Sequence, residues 1–240
     1  MKYDLPRCLL AEALGTAFLL ATVVGSGIMG ERLAAGNVAI ALLANSLATA
    51  AMLYVLIEWF GPISGAHFNP LVSAALAFRG DLGWTSVPPY VAAQACGAIA
   101  GVASANLMFG LDAFAWSQHV RAGLPQWLSE SIATFGLLGL ILTCSRTRPT
   151  AIAALVAAYI GAAYWFTASS SFANPAVTLA RTLTDTFAGI RPGDAPAFFI
   201  AQSLGAVVAM VLFAWLMRDA KASPSAQGLQ QESPLPDIFT

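Results

Sequence analysis

A chain of 240 residues with 58% hydrophobic and only 10% charged side chains lies far from the roughly 25% charged composition of soluble globular proteins, so lipid is its main solvent. That length holds about six spans of roughly 20 residues with short loops, and leaves no room for a second soluble domain of ordinary size. A formal net charge of −1 and a pI near 6.1 provide no basic stripe to neutralise phosphates, which excludes nucleic acid as a partner.

Lys2 and Arg7 lead into an apolar run from Leu5 to about Met29. A signal peptide begins this way, but this run carries Glu12, outlasts a signal core and shows no small-x-small cleavage site, so it reads as the first span. Further spans are predicted at Val38 to Trp59, Val87 to Phe109, Gln126 to Cys144, Thr150 to Phe166 and Ala195 to Met217, each long enough to clear the hydrocarbon core at the helical rise. Gly61 to Phe78 and Thr167 to Gly189 are apolar but too short to span, and they read as re-entrant segments. Residues 1–217 thus form one all-α membrane domain with halves at about 5–110 and 126–217. The remainder, 218–240, is rich in Ser, Pro, Gln and Ala, and is expected to form a disordered cytoplasmic tail.

Small residues such as those in Gly97 to Gly101 let helix backbones approach closely in lipid. The odd set Cys8, Cys96 and Cys144 argues against a disulfide framework. On this topology Lys2, Arg7, Arg79, Arg146, Arg148, Arg218 and Lys221 share one side, against Arg32, Arg121, Arg181 and Arg191 on the other. The positive-inside bias places both termini in the cytoplasm, with the protein multi-pass in the inner (plasma) membrane.

The two halves repeat in order. Glu12 in Ala11 to Thr16 matches Glu130 in Ser129 to Thr134, Asn69-Pro70-Leu71 matches Asn174-Pro175-Ala176, and Gln94 matches Gln202. Three spans per half is an odd number, so the second copy is inverted relative to the first. The re-entrant segments therefore enter from opposite faces, and non-helical backbone at membrane depth survives only where it lines a cavity or is buried in protein. Asn is a favoured N-cap and Pro suits the first helical turn, so Asn69 and Asn174 read as starts of two half-helices. Their facing amino ends, each worth roughly half a positive charge, repel cations, while the Asn amides donate to passing oxygens. This chemistry suits small neutral hydroxylic solutes.

With Ile63 to Pro70 and Phe172 to Ala176, the chain resembles the major intrinsic protein family, the aquaporins and aquaglyceroporins, from Glu12 to Met217. The resemblance implies six transmembrane helices plus two re-entrant half-helices, a passive channel in each protomer and usually a homotetramer. In two places the chain departs from the family pattern. Leu71 stands where alanine is usual, which puts a larger side chain beside the central constriction, and Val177 stands where the filter arginine is usual. By spacing, the other filter positions are Ser171, Ala162 and Thr49. Thr, Ala, Ser and Val imply a wide opening without a fixed cation, suited to glycerol-like polyols, undissociated metalloid acids such as arsenous acid, and water. The segment Phe172 to Val177 is also similar to that of bacterial members linked to arsenic handling.

Arg181, four residues beyond Val177, falls on the same helix face, where it either charges the vestibule or pairs with a loop or the interface. Glu12 and Glu130 fit either a proton-coupled secondary transporter or a structural task, and their equivalent places favour holding the re-entrant loops, with Gln94 and Gln202 bridging helices. His67, a pore-lining candidate, reads as a cytoplasmic-side gate or pH sensor, or as a neutral, hydrogen-bonded loop histidine. Ser64 with His67 raises an intramembrane hydrolase, but no nucleophile context surrounds Ser64 and the second copy has no histidine. The chain therefore reads as no enzyme. No metal or cofactor is expected, since neither histidine has ligand neighbours at usable spacing.

Overall fold

A computed structural model describes residues 3–218. Residues 219–240, nearly all of the predicted tail, lie outside the described residues. The described residues fold into eight α-helices: α1 (Leu5–Leu33), α2 (Val38–Ser64), α3 (Pro70–Arg79), α4 (Val87–Met108), α5 (Leu124–Thr147), α6 (Ile152–Phe166), α7 (Pro175–Arg181) and α8 (Ala195–Leu216). Counting their short 3₁₀ lead-ins, six of these are long and apolar enough to cross a membrane, while α3 and α7 are the two short segments. The protein is a multi-pass, all-helical membrane protein.

Local chemistry sets the boundaries. Asp4 and Asn37 cap α1 and α2 by accepting backbone N–H groups of the first turn. The second span runs to Ser64, past the predicted end at Trp59 and through Pro62. Gly65, at φ 91°, closes it by donating to the Gly61 carbonyl. The first re-entrant connection is correspondingly short, and α3 begins at Pro70.

α1 packs on α4 and α2, α5 packs on α8, and α2 meets α6. At the α1–α4 crossing a Cβ on Gly97 would lie 2.1 Å from the Ala13 carbonyl oxygen, and at the α5–α8 crossing one on Gly205 would lie 2.1 Å from that of Ser131. The repeat thus builds the same close helix contact twice, each dependent on a residue without a side chain. Burial runs opposite to that of a soluble protein. Ile200, Leu204, Val207 and Val211 of α8 are exposed, whereas Glu12, Glu130, Gln94 and Gln202 are fully buried. An apolar exterior of this extent is satisfied by lipid.

Candidate functional site in the bundle interior

Glu12 and Glu130 organise equivalent cradles. Glu12 Oε1 accepts from Ser64 Oγ at 2.6 Å and His67 N at 2.9 Å, and its Oε2 accepts from Phe68 N at 2.7 Å and Gln94 Nε2 at 2.8 Å. Glu130 repeats the pattern, with Ser169 Oγ at 2.6 Å and Phe172 N at 2.8 Å on Oε1, and Ala173 N at 2.8 Å and Gln202 Nε2 at 2.7 Å on Oε2. Each glutamine donates again, Gln94 to Ser73 Oγ and Gln202 to Thr178 Oγ1. Four donors on one carboxylate offset the cost of burying its charge. Ser64 is thereby committed to Glu12, and His67 Nδ1 faces Ser73 Oγ at 3.0 Å, so Ser64 and His67 are not paired with each other.

These cradles hold unusual backbone. Ala66 and Phe68 in the first loop, and Ser171 and Ala173 in the second, occupy the left-handed region at φ 48–51°. Non-glycine residues persist there only where the surroundings over-determine them. Beyond each loop an asparagine does two jobs. Asn69 Oδ1 caps α3 through Leu71 N at 2.9 Å, and Asn174 Oδ1 caps α7 through Ala176 N at 2.9 Å. Their amide nitrogens cross over: Asn69 Nδ2 donates to the Ala173 carbonyl at 2.8 Å, and Asn174 Nδ2 donates to the Phe68 carbonyl at 2.7 Å. Each amide retains a second N–H.

A cavity of about 540 Å³ runs beside this junction. The half-helices present matched stripes to it: Asn69, Val72 and Leu76 from α3 and its cap, and Asn174, Val177 and Arg181 from α7 and its cap. Both follow the i, i+3, i+7 spacing of one helix face. This spacing corrects the prediction for Leu71. Two residues from Asn69 and so about 200° around the helix, Leu71 is absent from the cavity wall and packs against a cluster that includes Leu138, Leu142 and Ala206. Pro70, Pro175 and Ala176 are likewise absent from the wall. On α6 the wall is formed by Ile152, Val156, Ile160 and Tyr164, whereas Ala162 is exposed on the outer face. Counting back from Asn174 without gaps therefore lands two residues from Tyr164, again about 200° away. Thr49, Ser171 and Val177 do line the cavity. Tyr164 donates to Thr49 Oγ1 at 3.2 Å, and Ser171 Oγ is buried without a protein partner.

The sequence profile of the family described as "Major intrinsic protein" matches residues 1–169 and 145–234. The chain belongs to this family. It is 55% identical over 220 residues to aquaglyceroporin AqpS of Rhizobium meliloti, covering 92% of this chain and 94% of that one. To aquaporin NIP1-1 of Arabidopsis thaliana it is 31% identical over 215 residues, 83% and 70% of the two chains. In fold it resembles the aquaglyceroporin of Plasmodium falciparum, with a TM-score of 0.68 at 21% identity, covering 89% of this chain and 95% of that one.

In this major intrinsic protein Arg181 is only 2% exposed. Its Nε donates to the Ala188 carbonyl, and its guanidinium lies 3.4 Å from the centroid of the Phe172 ring. The side chain is tied to the loop after α7 and also forms part of the cavity wall. Sequence reasoning missed Arg121. From the α4–α5 connection it donates to the carbonyls of Ser169, Phe187 and Gly189, and it flanks Phe172 at 5.1 Å. At the opposite end Arg79, Asp81 and Arg146 line the cavity. Asp81 bonds to Arg79 Nε and, at 2.9 Å, to Arg146 Nη2. Burial alone would raise the Asp81 pKa, but the hydrogen bonds and charges of Arg146 and Arg79 outweigh it and hold the carboxyl below its ordinary value.

Proposed function

We propose that this protein is a passive channel for small uncharged hydroxylic solutes: glycerol-like polyols, undissociated metalloid acids such as arsenous acid, and water. The observation that carries the reading is the meeting of two asparagine-capped half-helices inside the bundle, both asparagines on the wall of one cavity. Two helix amino ends at that depth disfavour cations, and the spare amide protons offer bonds to hydroxyl oxygens. The names of its relatives, an aquaglyceroporin and a glycerol uptake facilitator among them, support water and glycerol-like solutes.

The selective constriction in this proposal is formed by Thr49, Tyr164, Ser171 and Val177, with Tyr164 in the place first given to Ala162. Val177 contributes an apolar wall where a guanidinium would narrow the passage, and the unpartnered Ser171 hydroxyl binds the solute. Arg181, one turn further out, attracts electron-rich oxygens without blocking the passage. His67 serves as a neutral wall residue on the cytoplasmic side. Both termini face the cytoplasm of a plasma membrane, following the Lys and Arg asymmetry, and four protomers assemble with one pore each.

Stopped-flow light scattering on proteoliposomes tests the reading. Wild type is expected to pass water, glycerol and arsenous acid without an ion gradient, and Val177→Arg to reject the larger two. Uptake that requires a proton or ion gradient would replace the channel with a coupled transporter. Unchanged permeability to every solute in Arg181→Ala would remove that residue's role.

A further inference from the structure

The end of the molecule that carries the excess of Lys and Arg holds a second cavity, of about 260 Å³, on the outer side of the bundle among α3, α5 and α8. Its wall is apolar, with Phe78, Met210, Phe213 and Met217 among its residues, except for two guanidinium groups, Arg79 and Arg146. The same two arginines line the central cavity. They form a partition between the solute path and a lipid-facing groove.

The two are held differently. Arg79 is largely buried and fixed by its bond to the Leu142 carbonyl at 2.7 Å and by Asp81. Arg146 has a 58% exposed side chain and makes one hydrogen bond among the described residues, to Asp81 Oδ1. The remaining guanidinium donors of Arg146 are available to an anion. Arg79 and Arg146 both bond to Asp81, two guanidinium groups to one carboxylate, which leaves this wall with a net positive charge.

We infer that this groove binds an anionic phospholipid, its phosphate on Arg146 and one acyl chain along Phe78, Met210, Phe213 and Met217. The charge complementarity and the apolar run lie in the order in which a lipid presents its headgroup and chain at the cytoplasmic interface. A zwitterionic lipid brings its own cation to the arginines and gains less. Because Arg146 is bonded to Asp81, the lipid phosphate and the Asp81 carboxylate compete for one guanidinium, so removing the carboxylate should tighten lipid binding.

The test is the thermal unfolding midpoint of the purified full chain in neutral detergent, titrated with short-chain phosphatidylglycerol, phosphatidylcholine or inorganic phosphate. Phosphatidylglycerol is expected to raise the midpoint well above the effect of the other two. Arg146→Gln should weaken its apparent affinity roughly fivefold, the effect of one basic side chain at an anionic surface. Met210→Trp, which fills the groove without changing charge, should also weaken it, and Asp81→Asn should strengthen it. Equal shifts with phosphatidylcholine, a shift reproduced by inorganic phosphate, wild-type affinity in both Arg146→Gln and Met210→Trp, or weaker binding in Asp81→Asn would each overturn the inference. The readout requires no solute flux, so its failure is distinct from a failure of the channel reading.

Discussion

Replacing Glu130 by Gln tests the loop cradle with almost no change in volume. One amide oxygen keeps two of the four donors, and the amide nitrogen must arrive where the other two point. If nitrogen replaces Oε2, Gln202 can turn its unpartnered Oε1 toward it, but the Ala173 N–H is stranded. If nitrogen replaces Oε1, the Ser169 hydroxyl can rotate to accept, but the Phe172 N–H is stranded. Either orientation leaves one buried backbone donor unpaired, at about 1–3 kcal/mol. The surviving bonds also lose their charged acceptor, which roughly halves their strength. Relief from burying a charge offsets part of this, and the net expectation is a loss of about 2–4 kcal/mol of stability. The assay is unfolding in mixed detergent–SDS micelles, with glycerol flux measured in parallel. Glu12→Gln should cost the same, since it strands the N–H of either His67 or Phe68. Wild-type stability in Glu130→Gln, or a large loss there with none in Glu12→Gln, would refute the reasoning.

Valine at Gly97 or Gly205 should force α1 from α4, or α5 from α8, and cost about 1–3 kcal/mol in either half; the same unfolding assay should find the two variants alike, given the equal 2.1 Å approaches. Ser171→Cys should place a thiol on the cavity wall and make solute flux sensitive to mercurials, reversibly with reductant, while wild type is not blocked at that position. Since the folded-state pKa of Asp81 lies below its ordinary value of 3.8, its stabilising contribution is complete above that value and is lost as pH falls through the lower folded value. In acid titrations the stability of wild type and Asp81→Asn should therefore converge below pH 3.8 and differ above it by about 0–1 kcal/mol, the range for a partly exposed ion pair.

The spans, the half-helices and the glutamate cradles were legible because each appears twice in the sequence. A pattern such as Glu12 and Glu130 with Gln94 and Gln202 carries its own control. The cavity wall on α6 was not legible, since one helix face differs from its neighbour by a rotation that residue counting cannot resolve. Ala162 and Tyr164 are two residues apart and face opposite ways. Leu71 failed for the same reason, and Val72 was passed over although its spacing from Asn69 equals that of Val177 from Asn174. Arg121 carried no signal in an irregular connection, because its carbonyl partners, Ser169, Phe187 and Gly189, lie in two loops distant in sequence. The second span outlasts its predicted end at Trp59, with Pro62 in the last turn of α2 and the Gly65 cap ending the helix.

The crossed amide bonds bear on how such a chain arose. Asn69 is anchored by a carbonyl of the second half and Asn174 by one of the first, so neither loop completes its bonding alone. A three-span ancestor would have met that requirement only by pairing with a copy of itself inserted upside down. Such a gene product would need to enter the membrane in both orientations, and joining two copies end to end would fix one orientation for each. Joined in that way, the halves would be free to differ at equivalent positions, as they do at Leu76 and Arg181.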